Sequence, residues 1–194
     1  MRIVIVTLLA LVAFAANSVL VRGARAQGQI GPAAFGAIRL FSGAMMLAAL
    51  LAVQGGLGQI LAQSSIASAA AVGWGIYTLR GQHSRAPTQA TTANFLLATP
   101  VAVLIWWAAP QEAEMTGRGV ALAVASGALA SGIGYALWYS VLPALKPTQA
   151  AILQLTVPVI ALLGGIIFLG EALTWVFSGA AALIIAGVLV ALRA

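Results

Sequence analysis

Few side chains in this 194-residue chain could carry acid–base or metal chemistry. It has only three acidic residues, no cysteine and a single histidine, His83, which lies in a polar stretch. A metal centre needs several Cys, His or carboxylate ligands, and general acid–base catalysis needs a titratable group beside its partner. The sequence therefore predicts no catalytic residue, no metal and no cofactor. An intramembrane hydrolase would have to use His83 as its base, so an enzyme is not expected.

The polar side chains that could bind a solute are embedded in apolar sequence. Asn17, Asn94 and Gln154 could each bond to another helix or line a substrate pocket. Arg39 also lies inside an apolar stretch, where its charge needs an anion, a polar cavity or a route to the interface. Glu171 ends an apolar stretch, so it could face water, meet a neighbouring Arg or mark an ion or proton path.

Aromatic residues form a second set of candidates. Trp74, Tyr77 and Tyr135 could wall a cavity, although Trp and Tyr also collect at membrane interfaces. A group of mostly small residues, from Ser126 to Gly134, comes directly before Tyr135. Small residues let helices approach closely in lipid, or they form a thin wall beside a cavity. Both interpretations stay open.

The elements that must position these residues are membrane helices. Hydrophobic residues make up 62% of the chain and charged residues 6%, with a mean hydropathy of +1.07. A soluble domain carries roughly a quarter charged residues. The net charge of +6 does not indicate nucleic-acid binding, because no basic run accompanies it. The sequence predicts an all-α, polytopic membrane helix bundle with about seven spans: Ile3–Val21, Ala34–Val53, Gln59–Leu79, Thr92–Ala109, Gly119–Leu142, Ala151–Leu169 and Val176–Leu192.

Two of these spans need comment. The first resembles a signal peptide, but about 19 apolar residues suit a retained spanning helix better. The third has a polar first half, as though the tail of one element were joined to the head of another.

A helix–loop–helix unit occurs twice. Arg22-Gly23 is followed by Gly31-Pro32, and Arg80-Gly81 is followed by Ala86-Pro87; Arg39 and Asn94 then occupy matching places. Internal repeats of this kind are typical of secondary transporters, whose substrate site lies between the repeats.

Several stretches resemble the EamA-type ten-helix exporters of the drug/metabolite transporter superfamily. Phe14 to Ser18 is similar to the aromatic-Gly-x-Asn signature of the first helix, with Ala15 in place of Gly. Pro32 to Arg39 resembles the start of the second helix, and Gly73 to Tyr77 the start of the second repeat. Leu142 to Glu171 resembles the penultimate helix with its terminal Gly-Glu. The resemblance covers nearly the whole chain.

The resemblance implies ten helices in two five-helix repeats of opposite orientation. We therefore expect residues 1–58 to be a partial first repeat of two helices and residues 59–194 a complete second repeat of five. Three helices would be missing near residues 53–68, through deletion, a gene-model error or engineering. The orientation rules then conflict. Seven alternating crossings place the N-terminus outside by the positive-inside rule, whereas the resemblance places it inside.

The resemblance implies transport of small metabolites, with export of amino acids or similar polar solutes by alternating access as the expected function. The expected partners are a small-molecule substrate, the lipid bilayer of a bacterial inner membrane and, as one option, a second copy of the chain in a homodimer. The alternative is a shortened, transport-incompetent chain that acts only as a folding or interaction unit. The expected coupling residue is Glu171, and the expected substrate-site residues are Asn17, Arg39, Trp74, Tyr77, Asn94, Tyr135 and Gln154.

Overall fold

The computed structural model describes residues 2–26, 28–54, 87–110 and 114–193, and these are helical apart from short connections. A 3₁₀ turn, Leu142–Ala144, follows the α-helix Gly134–Val141. A nine-residue π-helical segment, Ala125–Ile133, interrupts one long helix. The α-helices are α1 (Arg2–Arg25), α2 (Pro32–Val53), α3 (Pro87–Ala108), α4 (Gly117–Val124), α5 (Gly134–Val141), α6 (Pro147–Leu155), α7 (Val157–Leu169) and α8 (Trp175–Arg193).

Length and composition make these helices membrane spans. α1, α2 and α3, the continuous stretch Gly117–Ala144 and the stretch Thr148–Leu169 are each long and apolar enough to cross a bilayer, and α8 contains a shorter apolar part. The predicted polytopic helix bundle is confirmed. The first, second and fourth to seventh predicted spans fall on these helices, with ends that differ by no more than five residues. The predicted third span, with Trp74 and Tyr77, lies outside the described residues.

Local sequence explains where the helices begin and end. Pro32 and Pro87 are first residues of α2 and α3, where the absent N–H would be unpaired in any case. Thr116 caps α4 by accepting a hydrogen bond from the Gly119 amide at 3.0 Å. Gly170 ends α7 with a left-handed φ of 66° that favours glycine.

The sixth predicted span is broken in two. Pro158 cannot donate a backbone hydrogen bond, and α6 ends just before Thr156 while α7 begins just after it. The Thr156 hydroxyl donates to the Leu153 carbonyl at 2.6 Å, which satisfies one backbone acceptor at the break. Pro100, in contrast, lies inside a continuous α3.

Specific contacts fix the helix directions. α1 runs antiparallel to the stretch Gly117–Ala144, because Ala24 packs near Ala123 while Leu11 packs near Trp138. α1 runs parallel to α7, because a Cβ on Gly164 would meet Val19 and a Cβ on Gly23 would meet Leu169.

α2 and α3 are antiparallel. Trp106 at the end of α3 packs with Phe35 near the start of α2, and Ala93 near the start of α3 packs with Leu51 near the end of α2. The loop after α1 contacts the start of α4, where the Thr116 amide donates to the Gln29 carbonyl at 2.9 Å.

These directions define two faces of the bundle. The Gln29 face holds the C-terminal ends of α1, α3 and α7 and the N-terminal ends of α2 and α4. The Lys146 face holds the N-terminal ends of α1, α3 and α6 and the C-terminal ends of α2 and α5. Each face has a hydrophobic cluster beneath it: Ala24, Ile30, Ala34, Phe35 and Ala123 at the Gln29 face, and Ala10, Leu11, Trp138, Val141 and Ala150 toward the Lys146 face.

The faces correct the orientation derived from seven alternating crossings. Five crossings would separate Arg22 from Glu171, so the two residues would lie at opposite faces. In the structure they form an ion pair at 2.6 Å, both at the Gln29 face. The arrangement implied by the ten-helix resemblance does put them together. Hydropathy locates apolar segments but does not show which segment ends lie at the same face. The assumption of seven alternating crossings was therefore wrong.

Candidate functional site

The π-helical segment aims two serines at the same neighbour. Ser126 and Ser131 are five residues apart, which is the hydrogen-bonding period of a π-helix. Both side chains are fully buried. Such segments often mark functional sites. In a π-helix, side chains five residues apart lie on the same side, whereas in an α-helix they point in different directions.

A polar network connects this segment to α1 and α2. The Asn17 Oδ1 accepts hydrogen bonds from the Ser126 hydroxyl at 2.7 Å and from the Ser131 hydroxyl at 3.3 Å. Arg39 Nη2 donates to the Ser131 hydroxyl oxygen at 3.4 Å. We call these four residues the Asn17–Arg39 network. It brings together two of the residues predicted from sequence.

Two glycines of the π-helical segment make the network possible because they have no side chain. A Cβ on Gly127 would collide with the Arg39 carbonyl oxygen and the Ser42 hydroxyl, and a Cβ on Gly132 would lie 2.8 Å from Met46. The backbones of α2 and the π-helical segment are therefore in direct contact. The group of mostly small residues serves tight packing, one of the two predicted roles.

The network lies well inside the apolar layer. Arg39 is seven residues from the start of α2, and Asn17 is eight residues from the end of α1. At about 1.5 Å per residue these positions lie roughly 10–12 Å below the Gln29 face. A hydrocarbon core is about 30 Å thick, so the network is close to its middle third.

An aromatic cluster continues from the network toward the Lys146 face. The Tyr135 ring contacts Phe14 edge-on at 5.2 Å and Phe95 at 6.1 Å, and it stacks on Tyr139 at 5.8 Å. The Tyr139 hydroxyl shares a 2.8 Å hydrogen bond with the Thr91 hydroxyl. Tyr135 thus lies in the bundle interior, beside residues of α1 and α3.

Two other predicted site residues stand apart from the network. The Asn94 Oδ1 is buried and has no hydrogen bond to any described residue; it lies next to Phe95, beside the aromatic cluster. Gln154 lies in α6 one residue after Leu153, which packs with the cluster toward the Lys146 face. No hydrogen bond between the Gln154 side chain and the rest of the described chain joins it to the network.

Glu171 participates in a separate polar contact at the Gln29 face. Arg22 Nη1 donates to its Oε2 at 2.6 Å, with both side chains about one-third exposed (33% and 28%). Arg22 also donates to the Ala161 carbonyl at 2.7 Å and to the Ser18 carbonyl at 3.2 Å. Gly165 leaves room for the pair, since a Cβ there would collide with the Glu171 carboxylate. This contact, the Arg22–Glu171 clasp, fastens α1 to α7.

Sequence reasoning missed three polar participants. Ser126 and Ser131 were counted as small packing residues, and their five-residue spacing in a stretch of small residues was the available signal for a π-helical turn. Arg22 was counted as an interfacial anchor. The Gly164-Gly165 pair in α7 was the signal that a large side chain from another helix must fit there.

Comparison with known proteins gives a family and one relative. Residues 63–193 match the EamA-like transporter family. A protein of Pseudomonas aeruginosa, itself named as uncharacterized, is 34% identical to this chain in an alignment of 252 positions. The alignment covers 89% of this chain and 88% of the relative. No solved structure matches. An alignment over 252 positions exceeds the 194 residues of this chain by 58, so at least that many positions of the relative lie opposite gaps in this chain.

Proposed function

Since this chain belongs to the EamA-like transporter family, we propose that it carries small polar solutes across the membrane by alternating access, with export of amino acids or similar metabolites as its physiological direction. It is a multi-pass membrane protein, and we place it in the bacterial inner membrane. We propose an ion or substrate gradient as the energy source, as is usual for secondary transporters.

The Asn17–Arg39 network is the observation that supports this proposal. It is a cluster of polar side chains at the interface of three helices and at a depth where polar groups are costly. Secondary transporters place their solute sites near the midplane, where irregular helix geometry is tolerated because it lines a cavity. The π-helical segment is irregular helix at this depth, and its two serines belong to the network.

The roles we propose follow from these contacts. Asn17 and Arg39 contact the solute directly, with the two serines holding Asn17 in position. Tyr135 forms an aromatic wall on the Lys146 side of the network. The unsatisfied Asn94 Oδ1 offers a further acceptor beside that wall. Trp74, Tyr77 and Gln154 remain proposed members of the site on sequence grounds.

Glu171 is proposed as the coupling residue through the Arg22–Glu171 clasp. Protonation of the carboxylate, or its capture of another cation, would weaken its hold on Arg22 and free α7 from α1 at the Gln29 face. Opening of that face would then depend on the ion gradient. The Arg22 bond to the Ala161 carbonyl of α7 would be retained until α7 moves, whereas the bond to the Ser18 carbonyl lies within α1 and does not depend on α7.

A growth challenge tests the transport proposal. Bacteria that express the chain, with membrane insertion verified, are exposed to toxic amounts of amino acids, their analogues and cationic drugs. Resistance to one compound class, reduced by Glu171→Gln, is the expected result. Resistance that is the same in Glu171→Gln would remove this residue from coupling, and insertion without any resistance would contradict transport by this chain.

The alternative of a shortened, transport-incompetent chain has its own support. The alignment with the Pseudomonas relative leaves at least 58 of its positions opposite gaps in this chain, and helices of the first repeat are the part we expect to be missing. The relative is therefore the matched control in the growth challenge. Resistance from the relative but none from an equally abundant, inserted form of this chain would favour the alternative. Cross-linking in the same membranes would then show whether the chain pairs with a second copy.

A further inference from the structure

Resting on the proposed transport function, we infer that the solute recognised at the Asn17–Arg39 network carries a carboxylate, which binds Arg39, and that cations without a carboxylate are rejected. Three independent features of the chain support this assignment: the distribution of its acidic residues, the direction of the Arg39 side chain and the hydrogen-bonding capacity of the network.

Within the described residues, no carboxylate pairs with Arg39. Its three acidic residues are Glu112, Glu114 and Glu171. The first two lie between α3 and α4 in the sequence, outside both helices. The third is bound to Arg22 at the Gln29 face. A positive charge in the apolar layer is tolerated when it pairs with an anion or meets a polar cavity. Because neither described glutamate pairs with Arg39, a bound solute is our proposed source of the anion.

The Arg39 side chain does not extend toward the nearest membrane surface. α2 and the π-helical segment run in the same direction away from the Gln29 face, and the Arg39 backbone touches Gly127. Its guanidinium reaches Ser131, four residues further from that face. A snorkelling Arg would extend the other way, toward lipid headgroups and water. The charge is therefore directed at the bundle interior.

The network has unused N–H donors beside its one charged group. The Asn17 Oδ1 is occupied by two serine hydroxyls, and Ser131 already accepts from Arg39. Among the described residues, the Asn17 amide NH₂ has no acceptor, and the Arg39 side chain has no acceptor other than Ser131. A guanidinium carries five N–H donors in a fork that matches a carboxylate. A carboxylate offers only acceptors when ionised, and an ammonium offers only donors. The free N–H groups and the positive charge of Arg39 thus fit a carboxylate, and the same charge repels an ammonium.

Matched pairs of probes test the assignment. Leucine, phenylalanine and 3-methylbutanoate are compared with leucinamide, phenylalaninamide and 3-methylbutanamide, which keep the shape and lose the carboxylate. Isoamylamine serves as the cation without a carboxylate. Binding is measured as the shift in unfolding temperature of the purified full chain, and transport is measured as uptake of the same compounds into proteoliposomes.

At least one carboxylate is expected to bind about tenfold or more tightly than its amide, since hydrogen bonds to charged groups are among the strongest in proteins. Arg39→Gln should abolish this preference and Arg39→Lys should keep part of it. The control is Arg25→Gln, which removes an exposed arginine at the end of α1 and should leave the preference unchanged. Without any ligand, Arg39→Gln should unfold no more than roughly 2–4 °C below the control, the effect of losing one hydrogen bond of about 1 kcal/mol.

Other results overturn the inference. Equal affinity for amides or isoamylamine, a preference that survives in Arg39→Gln, or no binding of any carboxylate would each do so. A lower unfolding temperature of Arg39→Gln with an intact preference would show a structural role for Arg39. The two proposals fail separately: carboxylate binding without uptake contradicts transport alone, whereas uptake without a carboxylate preference contradicts the solute assignment alone.

Discussion

Replacing Gly127 by alanine should separate α2 from the π-helical segment and disrupt the Asn17–Arg39 network. The new Cβ would lie 2.9 Å from the Arg39 carbonyl carbon and closer still to its oxygen, whereas ordinary contacts begin at 3.4 Å. Relief requires the two backbones to move apart by roughly 0.5–1 Å. The obstacle is backbone, which cannot rotate away as a flexible side chain could.

The energetic effect can be estimated from two opposing terms. Overpacking a well-packed site costs about 1–3 kcal/mol, and the rigid backbone puts this site toward the upper end. Alanine recovers up to about 1 kcal/mol through its better helix propensity. The expected net loss is about 1–2 kcal/mol, or roughly 2–8 °C in unfolding temperature for a chain of this size.

The same displacement should affect solute binding. The Arg39–Ser131 hydrogen bond is 3.4 Å long, so a further 0.5–1 Å breaks it. Loss of one such bond, about 1 kcal/mol, corresponds to roughly fivefold weaker positioning of Arg39. Solute affinity and uptake in the proteoliposome assay should fall together by about that factor.

Gly36→Ala is the matched control for this prediction. Gly36 is also in a packed membrane helix, α2, but a Cβ there meets nothing within 4 Å. It should be neutral or slightly stabilising, and uptake should be unchanged. If Gly127→Ala unfolded at the same temperature as Gly36→Ala with normal uptake, the inferred backbone contact and its role in placing Arg39 would be refuted.

Three further predictions concern the network, the clasp and the two faces. Ser126→Ala and Ser131→Ala should each cost about 0.6–1 kcal/mol in unfolding free energy, but uptake should fall more in Ser131→Ala, because only Ser131 also contacts Arg39; equal uptake would argue against that contact. Arg22→Gln should lower the unfolding free energy more than Glu171→Gln, since Arg22 alone also donates to two backbone carbonyls. In a double-mutant cycle, the coupling energy of this partly exposed pair should be about 0.5–1 kcal/mol. A coupling energy near zero would mean that the ion pair does not form. Because the chain lacks cysteine, single-cysteine variants can report topology with a membrane-impermeant thiol reagent. Cysteines at positions 26 and 172 should be labelled from one side of the membrane and a cysteine at position 146 from the other. Labelling of positions 26 and 172 from opposite sides would support seven alternating crossings.

The positions of the spans followed from hydropathy because lipid imposes that pattern on the sequence directly. Apolar runs of about 20 residues must be helical, since no water is present to satisfy the backbone. Proline and glycine at α2, α3 and α7 then set the helix ends through local backbone preferences. All of this is local information, and α1, α2 and the stretch Gly117–Ala144 appear where it predicts them.

Which residues form the site could be predicted only in part. Asn17 and Arg39 were identifiable because a polar group inside an apolar helix needs a partner or a function. Their connection through Ser126 and Ser131 was not predictable, because it depends on the π-helical turn and on the register between three helices. Gln154 is equally polar by sequence, yet among the described residues it makes no hydrogen bond to the network.

The sequence by itself determined that this chain is a helical membrane protein of few charges, resembling one transporter family, with the polar residues Asn17 and Arg39 embedded in its spans. Only the tertiary structure decided that Arg22 and Glu171 meet at one face, that the backbone of Arg39 rests on Gly127, and that the Arg39 charge is directed inward toward Ser131. The reason is physical. Hydropathy and backbone preference act over a few neighbouring residues, whereas these contacts join positions about 90 to 150 residues apart and depend on how closely the small side chains let the helices approach.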